Sequence, residues 1–286
     1  MLKADERGEY EILKILSHNV IQVMNHEKNE ECIFLGKGIG FGKKPKDIFN
    51  ESSKIERKYF ITDQENLHKY QLLLEKCDEE LYFFVEEYIE KVQKTFKSTY
   101  DETLHIGLLD HLNFSLYRYH NQIALTNIFM DEMSLMYEEE YEFAVKMLED
   151  LNQRLDVELP KSEASFIALH LHASIKGEKP SVTALYLKII GDCLSFIEKS
   201  YSITLDAKSI ERTRLITHLK FALKRATDKM PVQNVMVEAI KNAYPKTFAL
   251  ALELTKVIQE NYGIILPEGE VGYLAMHMEN IIHHHQ

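Results

Sequence analysis

Four histidines in this chain fall into two matched pairs. The segment Asp110-His-Leu-Asn-Phe-Ser-Leu-Tyr-Arg118 aligns with Thr217-His-Leu-Lys-Phe-Ala-Leu-Lys-Arg225, and Leu159-Pro-Lys-Ser-Glu-Ala-Ser-Phe-Ile-Ala-Leu-His170 aligns with Leu266-Pro-Glu-Gly-Glu-Val-Gly-Tyr-Leu-Ala-Met-His277, both at an offset of 107 residues. Tyr137 with Tyr244 and Ala144 with Ala251 keep that register without a gap, so the chain contains a duplicated unit of about 107 residues. An imidazole at a matched place can be a hydrogen-bonded core group, a metal ligand, a general base beside a nucleophile, or a phosphoryl acceptor. A metal site would want HxxxH or HExxH spacing, and the His170/His172 pair is HxH, a poor fit to one helix face. No GxSxG or other nucleophile motif accompanies the histidines. A phosphoryl group on nitrogen adds up to two negative charges and can disrupt or cement a contact, which suits a switch with two inputs.

The flanking residues fit helices. Leu-Pro-x-x-Glu precedes each second histidine; Pro suits a first turn whose N–H would be unpaired, and Glu suits the positive end of the helix dipole. Glu163 and His170, like Glu270 and His277, are seven residues apart and share a face. His111 has Phe114 and Arg118 at i+3 and i+7, and His218 has Phe221 and Arg225, so a cation two turns away can meet an anion carried by the ring.

A second constellation is the loop Gly36-Lys-Gly-Ile-Gly-Phe-Gly-Lys-Lys44. It lacks the GxxxxGK[ST] of a P-loop, and Phe41 stands where GxGxxG needs its third glycine. One reading is a plain glycine turn between strands. The other is backbone that approaches phosphate closely at Gly36 and Gly38, with charge from Lys37, Lys43 and Lys44 and an exposed Phe41 ring to stack on a base. On that reading Lys14 and Asn19, on the neighbouring strand and turn, would add a phosphate contact and a base-edge contact.

These groups need elements to hold them. The net charge of −11 is uneven: Tyr10 to Thr62 carries nine Lys/Arg against seven Asp/Glu, and the acidic excess lies in the rest. Short alternating runs at Glu11–Leu16, Val20–Met24, Cys32–Leu35 and Lys58–Ile61 predict a small antiparallel sheet of about four strands, marginal alone at roughly 55 residues and expected to dimerise. From about Glu65 the period becomes helical, over 67–97, 104–119, 138–155, 162–175, 182–200, 207–226, 233–243, 245–261 and 268–282. The fold class expected is multidomain α+β, a small sheet followed by two homologous all-α bundles. Expected boundaries are an extension at 1–9, the sheet domain at 10–64, and helical domains at 65–176 and 177–286. Hydrophobic residues at 45% and charged residues at 28% argue against a disordered chain, and no uninterrupted apolar run approaches ~18 residues. Cys32, Cys77 and Cys193 are too far apart for a CxxC site, and with no signal-like apolar stretch at the N-terminus the expectation is a cytoplasmic protein with reduced thiols and no metal or cofactor. His283-His-His285 reads as a solvated end.

Three motifs carry a family resemblance. Ile12-Leu-Lys-Ile-Leu-Ser-His-Asn-Val20, Leu35-Gly-Lys-Gly-Ile-Gly-Phe-Gly-Lys-Lys44 and Lys54-Ile-Glu-Arg57 resemble the co-antiterminator RNA-binding domain. The repeats around His111, His170, His218 and His277 resemble the phosphotransferase-system regulation domain. In that order they look like a BglG/SacY-type bacterial transcriptional antiterminator over nearly the whole chain. The resemblance implies a non-enzymatic dimer that binds an imperfect RNA hairpin in the leader of a sugar-utilisation transcript and keeps an overlapping terminator from forming. It further implies phosphorylation of the four histidines by phosphotransferase-system proteins. The sugar permease's phosphorylating subunit would act negatively through His111 and His170, and the general phosphocarrier positively through His218 and His277. Ser17, Asn19, Lys14, Gly36, Lys37, Gly38 and Phe41 would meet the RNA.

Two departures stand out. Ser17-His18-Asn19 replaces the consecutive asparagines of several relatives, and Lys37 replaces an Arg whose bidentate fork Lys cannot reproduce. The rival readings are a histidine–metal enzyme and a DNA-binding activator with the same regulation domains; the latter would need helices where the N-terminus shows strands.

Overall fold

The computed structural model describes residues 10–50, 54–60, 64–74, 76–98, 102–124, 130–230 and 232–285, so the extension at 1–9 and Ile61 of the fourth strand run lie outside the described residues. The chain forms two compact units, 1–123 and 124–286. The division falls between the two histidine helices of the first repeat.

In the first unit, strands β1 (Tyr10–Ser17), β2 (Val20–Asn25), β3 (Glu30–Leu35), β4 (Ile48–Phe49) and β5 (Arg57–Phe60) make one antiparallel sheet ordered β4-β1-β2-β3-β5. The two-residue β4, which no sequence run announced, pairs Phe49 with Tyr10. Alternation drives Tyr10, Ile12, Ile21, Val23, Cys32 and Phe34 onto one buried cluster, and Ile39 from the glycine-rich loop plugs it. Register shifts between Ile12 and Lys14 and between Ile15 and Ser17 mark irregularities in β1, and they lead into the tight turn at His18-Asn19.

Three helices follow, α1 (Gln64–Leu74), α2 (Glu79–Phe96) and α3 (Glu102–His120). The expected single run over 67–97 is broken because Asp78 caps α2, accepting from Glu80 N at 2.9 Å, while Lys97 turns left-handed (φ 52°) to end it. His105 of α3 and Glu86 of α2, about 2% and 1% exposed, meet in a buried polar contact beside Tyr70 and Tyr82.

The second unit holds α4 (Met130–Met136), α5 (Glu138–Leu155), α6 (Glu163–Lys176), α7 (Pro180–Tyr201), α8 (Ile210–Thr227), α9 (Val237–Ala243), α10 (Pro245–Tyr262) and α11 (Glu268–His285). Shifting α4 and α5 by 107 residues reproduces α9 and α10 residue for residue, so the repeat read from sequence is also a repeat of elements. A local link recurs with changed chemistry. Glu140 Oε1 of α5 meets His172 Nδ1 of α6 at 2.8 Å, and at the equivalent places Thr247 Oγ1 donates to Glu279 Oε2 at 2.5 Å. Glycines in the left-handed region, Gly177 (φ 64°) and Gly263 (φ 69°), close α6 and α10. Among the described residues, α7 is the one helix long and apolar enough to cross a membrane, and its Tyr186, Leu187, Ile190, Cys193 and Ile197 are buried where it packs with α4, α6, α8 and α10. The architecture is the expected one, a small antiparallel sheet followed by helical repeats.

Candidate nucleic-acid interface and histidine sites

The β1–β2 turn and the glycine-rich loop are stitched into one surface. Asn19 O accepts from Gly36 N at 3.0 Å, Asn19 Oδ1 accepts from Gly38 N, and His18 O accepts from Gly40 N at 2.9 Å. Ser17 Oγ accepts from Asn19 N at 3.1 Å, which fixes the turn. The glycines have separate reasons to be glycine. A Cβ on Gly36 would stand 1.7 Å from Lys54 O, and one on Gly40 would stand 2.6 Å from Ser17 O. Gly38 is different: it sits at φ 66° with open space where its Cβ would be.

Next to this stitched backbone, Phe41 is 75% exposed, and Lys14 and Lys37 are exposed. The structure thus brings Ser17, Asn19, Gly36 and Gly38 into one bonded group, carries Lys37 and Phe41 on its loop, and leaves Lys14 upstream on β1. Sequence reasoning passed over two neighbours. His18, exposed at the turn, brings its ring within 6.1 Å of Phe41, and Glu79 at the start of α2 accepts a hydrogen bond from Asn19 Nδ2. His18 had a signal, since it is the turn residue that departs from asparagine. Glu79 had none, because 60 residues separate it from Asn19.

The histidines of the second repeat meet. His218 of α8 and His277 of α11 have ring centroids 4.9 Å apart, and Tyr273 lies 5.6 Å from His218. Glu270 in the first turn of α11 is 0% exposed, and its Oε2 faces His218 Nε2 at 3.2 Å. Arg225 clamps the same carboxylate, with Nε 2.7 Å from Oε1 and Nη2 3.1 Å from Oε2. Burial would raise the Glu270 carboxyl, yet His218 and Arg225 outweigh it and hold it below the usual carboxylate range. His277 is pushed down to about 4 by burial, then by the nearby His218 and Arg214 charges, so it is neutral at pH 7. Arg225 is therefore engaged by a carboxylate in this state, where the sequence had offered it to an anion on the ring.

In the first repeat, His111 lies on α3 in the first unit and His170 on α6 in the second. His111 Nε2 is 3.4 Å from Ser115 Oγ, and Arg118 Nη2 donates to that hydroxyl at 3.0 Å. Glu163, the counterpart of Glu270, is 2% exposed. His172 is a buried structural imidazole, packed 3.7 Å from the Tyr137 ring and paired with Glu140. Among the described residues no group of His, Cys, Asp and Glu is arranged to hold a metal ion. The three cysteines form no disulfide, and burial, with adjacent acidic residues adding to it, pushes Cys77 and Cys193 up to about 12, far from thiolate chemistry.

A strand-built face and a duplicated set of histidine helices are the parts expected of an RNA-binding regulator of the phosphotransferase-controlled class. Comparison agrees: the CAT RNA binding domain pattern matches residues 10–68, and the PRD domain pattern matches 86–174 and 191–281. Protein GlcT of Staphylococcus haemolyticus (strain JCSC1435) is 32% identical over 273 residues, covering 95% of each chain. Protein GlcT of Staphylococcus epidermidis is 31% identical over 277 residues, covering 96% of this chain and 97% of that one. A crystal structure of GlcT CAT-PRDI superposes with a TM-score of 0.51 at 30% identity, over 59% of this chain and 99% of its own. The chain belongs to the BglG/SacY-type transcriptional antiterminators, a regulatory family rather than an enzyme family.

Proposed function

We propose that this antiterminator binds a leader RNA hairpin of a sugar-utilisation transcript through Lys14, Ser17, Asn19, Gly36, Lys37, Gly38 and Phe41, and so keeps an overlapping terminator from forming. The observation that carries this reading is the stitched turn and loop, which present backbone, lysine charge and one largely exposed aromatic ring together. The protein acts in the cytoplasm, without membrane insertion and without enzymatic activity, as a homodimer. Its working parts are the extension 1–9, the RNA-binding domain 10–64, and regulation domains 65–176 and 177–286. His111, His170, His218 and His277 accept phosphoryl groups from the phosphocarrier and the permease's phosphorylating subunit. The close pair His218 and His277 supports this, because added charge there lands between two packed helices.

The test is an electrophoretic titration of the full chain against the leader hairpin and against duplex DNA of the same sequence. Lys37→Ala and Phe41→Ala are each expected to weaken hairpin binding about 5–100-fold, the worth of a phosphate or stacking contact, with the circular dichroism spectrum unchanged. Hairpin affinity equal to that of the duplex, or unaltered in both variants, refutes the assignment.

A further inference from the structure

The two ring nitrogens of His218 are not equivalent. Nε2 is closed to solvent and faces Glu270 Oε2 at 3.2 Å, while the side chain as a whole keeps 12% exposure, which belongs to its other atoms. The carboxylate it faces is fully buried and is gripped at both oxygens by Arg225. Such a carboxylate cannot move aside cheaply: removing either partner strands a buried charge.

We propose that Glu270 is the positioning residue of a phosphoryl acceptor, holding the Nε2 edge of His218 so that Nδ1 is the nitrogen that takes the phosphoryl group, with Arg225 fixing the carboxylate in place. This rests on the reading that His218 is phosphorylated. The step balances. The Nδ1 lone pair of the neutral ring attacks phosphorus on the phosphohistidine of the phosphocarrier; the new N–P bond forms as the donor's N–P bond breaks, and its electron pair returns to the donor ring. The proton on Nε2 stays, and the ring acquires positive charge on the edge that Glu270 faces. A carboxylate stabilises that charge as it develops, and it selects the tautomer with Nε2 protonated and Nδ1 nucleophilic.

In the first repeat an oxygen also faces Nε2 of the matched histidine. His111 Nε2 turns to Ser115 Oγ, and Arg118, the counterpart of Arg225, donates to that oxygen. The position of Ser115 is occupied by Ala222 in the second repeat. In both repeats the arginine seven residues on holds the oxygen that faces Nε2.

The experiment phosphorylates the full chain, labelled with ring-15N histidine, from phosphoenolpyruvate through the phosphotransferase enzyme and phosphocarrier. Long-range 1H–15N spectra, assigned with His218→Ala, then report which nitrogen of His218 carries phosphorus. The expected result is Nδ1-phosphohistidine in wild type and a transfer rate to His218 at least tenfold lower in Glu270→Gln, recovered in part by Glu270→Asp. Arg225→Gln should slow transfer, and Arg225→Lys should restore part of it. Phosphorus on Nε2 overturns the proposal whatever the variants do, as does an undiminished rate in a folded Glu270→Gln. Phosphoryl groups on other histidines with none on His218 also overturn it while leaving the regulatory reading intact. No phosphoryl group on any histidine overturns that reading itself.

Discussion

Gly36 and Gly38 lie two residues apart in one loop, yet the structure assigns them opposite tasks. In Gly36→Ala the new methyl would fall 1.7 Å from Lys54 O, roughly half of an ordinary contact distance, and the obstacle is backbone. The strand end and the segment at 54–56 must part by about 1.5–2 Å. That strains the bonds Glu56 N to Leu35 O (2.7 Å) and Gly36 N to Asn19 O (3.0 Å). Two buried backbone bonds at about 1 kcal/mol each, with the packing of Leu35 and Ile39 loosened, put the loss near 3–4 kcal/mol. Gly38→Ala meets no atom and carries only the left-handed backbone penalty, about 1 kcal/mol. Hydrogen exchange of the full chain with leader RNA titration separates the two effects. Gly36→Ala should lose amide protection across β1–β3 and with it RNA binding. Gly38→Ala should keep protection and still bind weakly, since its methyl projects into the space an RNA backbone would enter. Full protection in Gly36→Ala would refute the packing argument; wild-type affinity in Gly38→Ala would remove that glycine from the interface.

Glu79 holds the Asn19 amide from the start of α2, so Glu79→Gln, which weakens that hold, should raise RNA affinity about 3–10-fold, the worth of one exposed charge-assisted bond; unchanged or lower affinity counts against competition at Asn19. Acid should weaken the second unit. Because folding lowers His277 to about 4 from an ordinary 6.5, the unfolded chain binds more protons between those values, so the contribution of His277 is present above pH 6.5 and is lost on acidification toward 4. Solvent screening of this partly exposed ring brings the loss to about 1–2 kcal/mol. Urea midpoints followed by circular dichroism at pH 7, 5.5 and 4.5 should show it, and His277→Gln should flatten the slope; equal slopes would refute the assignment. The depressed carboxyls of Glu140 and Glu270 add their own loss only below about 4.5.

Local signals were legible in the sequence wherever one element sets the outcome. The strand runs, the 107-residue repeat and the Leu-Pro-x-x-Glu helix starts map directly onto β1–β3, the matching of α4 and α5 with α9 and α10, and α6 and α11. The short elements escaped. Ile48–Phe49 is a strand only because Tyr10 pairs with Phe49, and the seven-residue α4 lies outside the helical runs although its repeat counterpart α9, of equal length, falls within 233–243. Partners across long separations escaped as well. The spacing placed Arg225 beside His218, but tertiary packing alone reveals that Glu270, 45 residues further on, takes the guanidinium. The same holds for His105 with Glu86, whose pairing depends on how two helices face each other.

Helix α8 presents His218 and Arg225 to α11 on one side, while Arg212 grips Glu132 of α4 at 2.8 Å and Lys220 Nζ donates to Met136 O of α4 at 2.8 Å. Burial pushes the Glu132 carboxyl up and Arg212 pulls against it, so the grip lies in a dry seam. One rod thus touches both repeats, so that α8 cannot shift without straining its contacts with α4 or α11. The duplicated half is built around a shared shaft, bolted to one copy by Arg212 and Lys220 and to the other by Arg225.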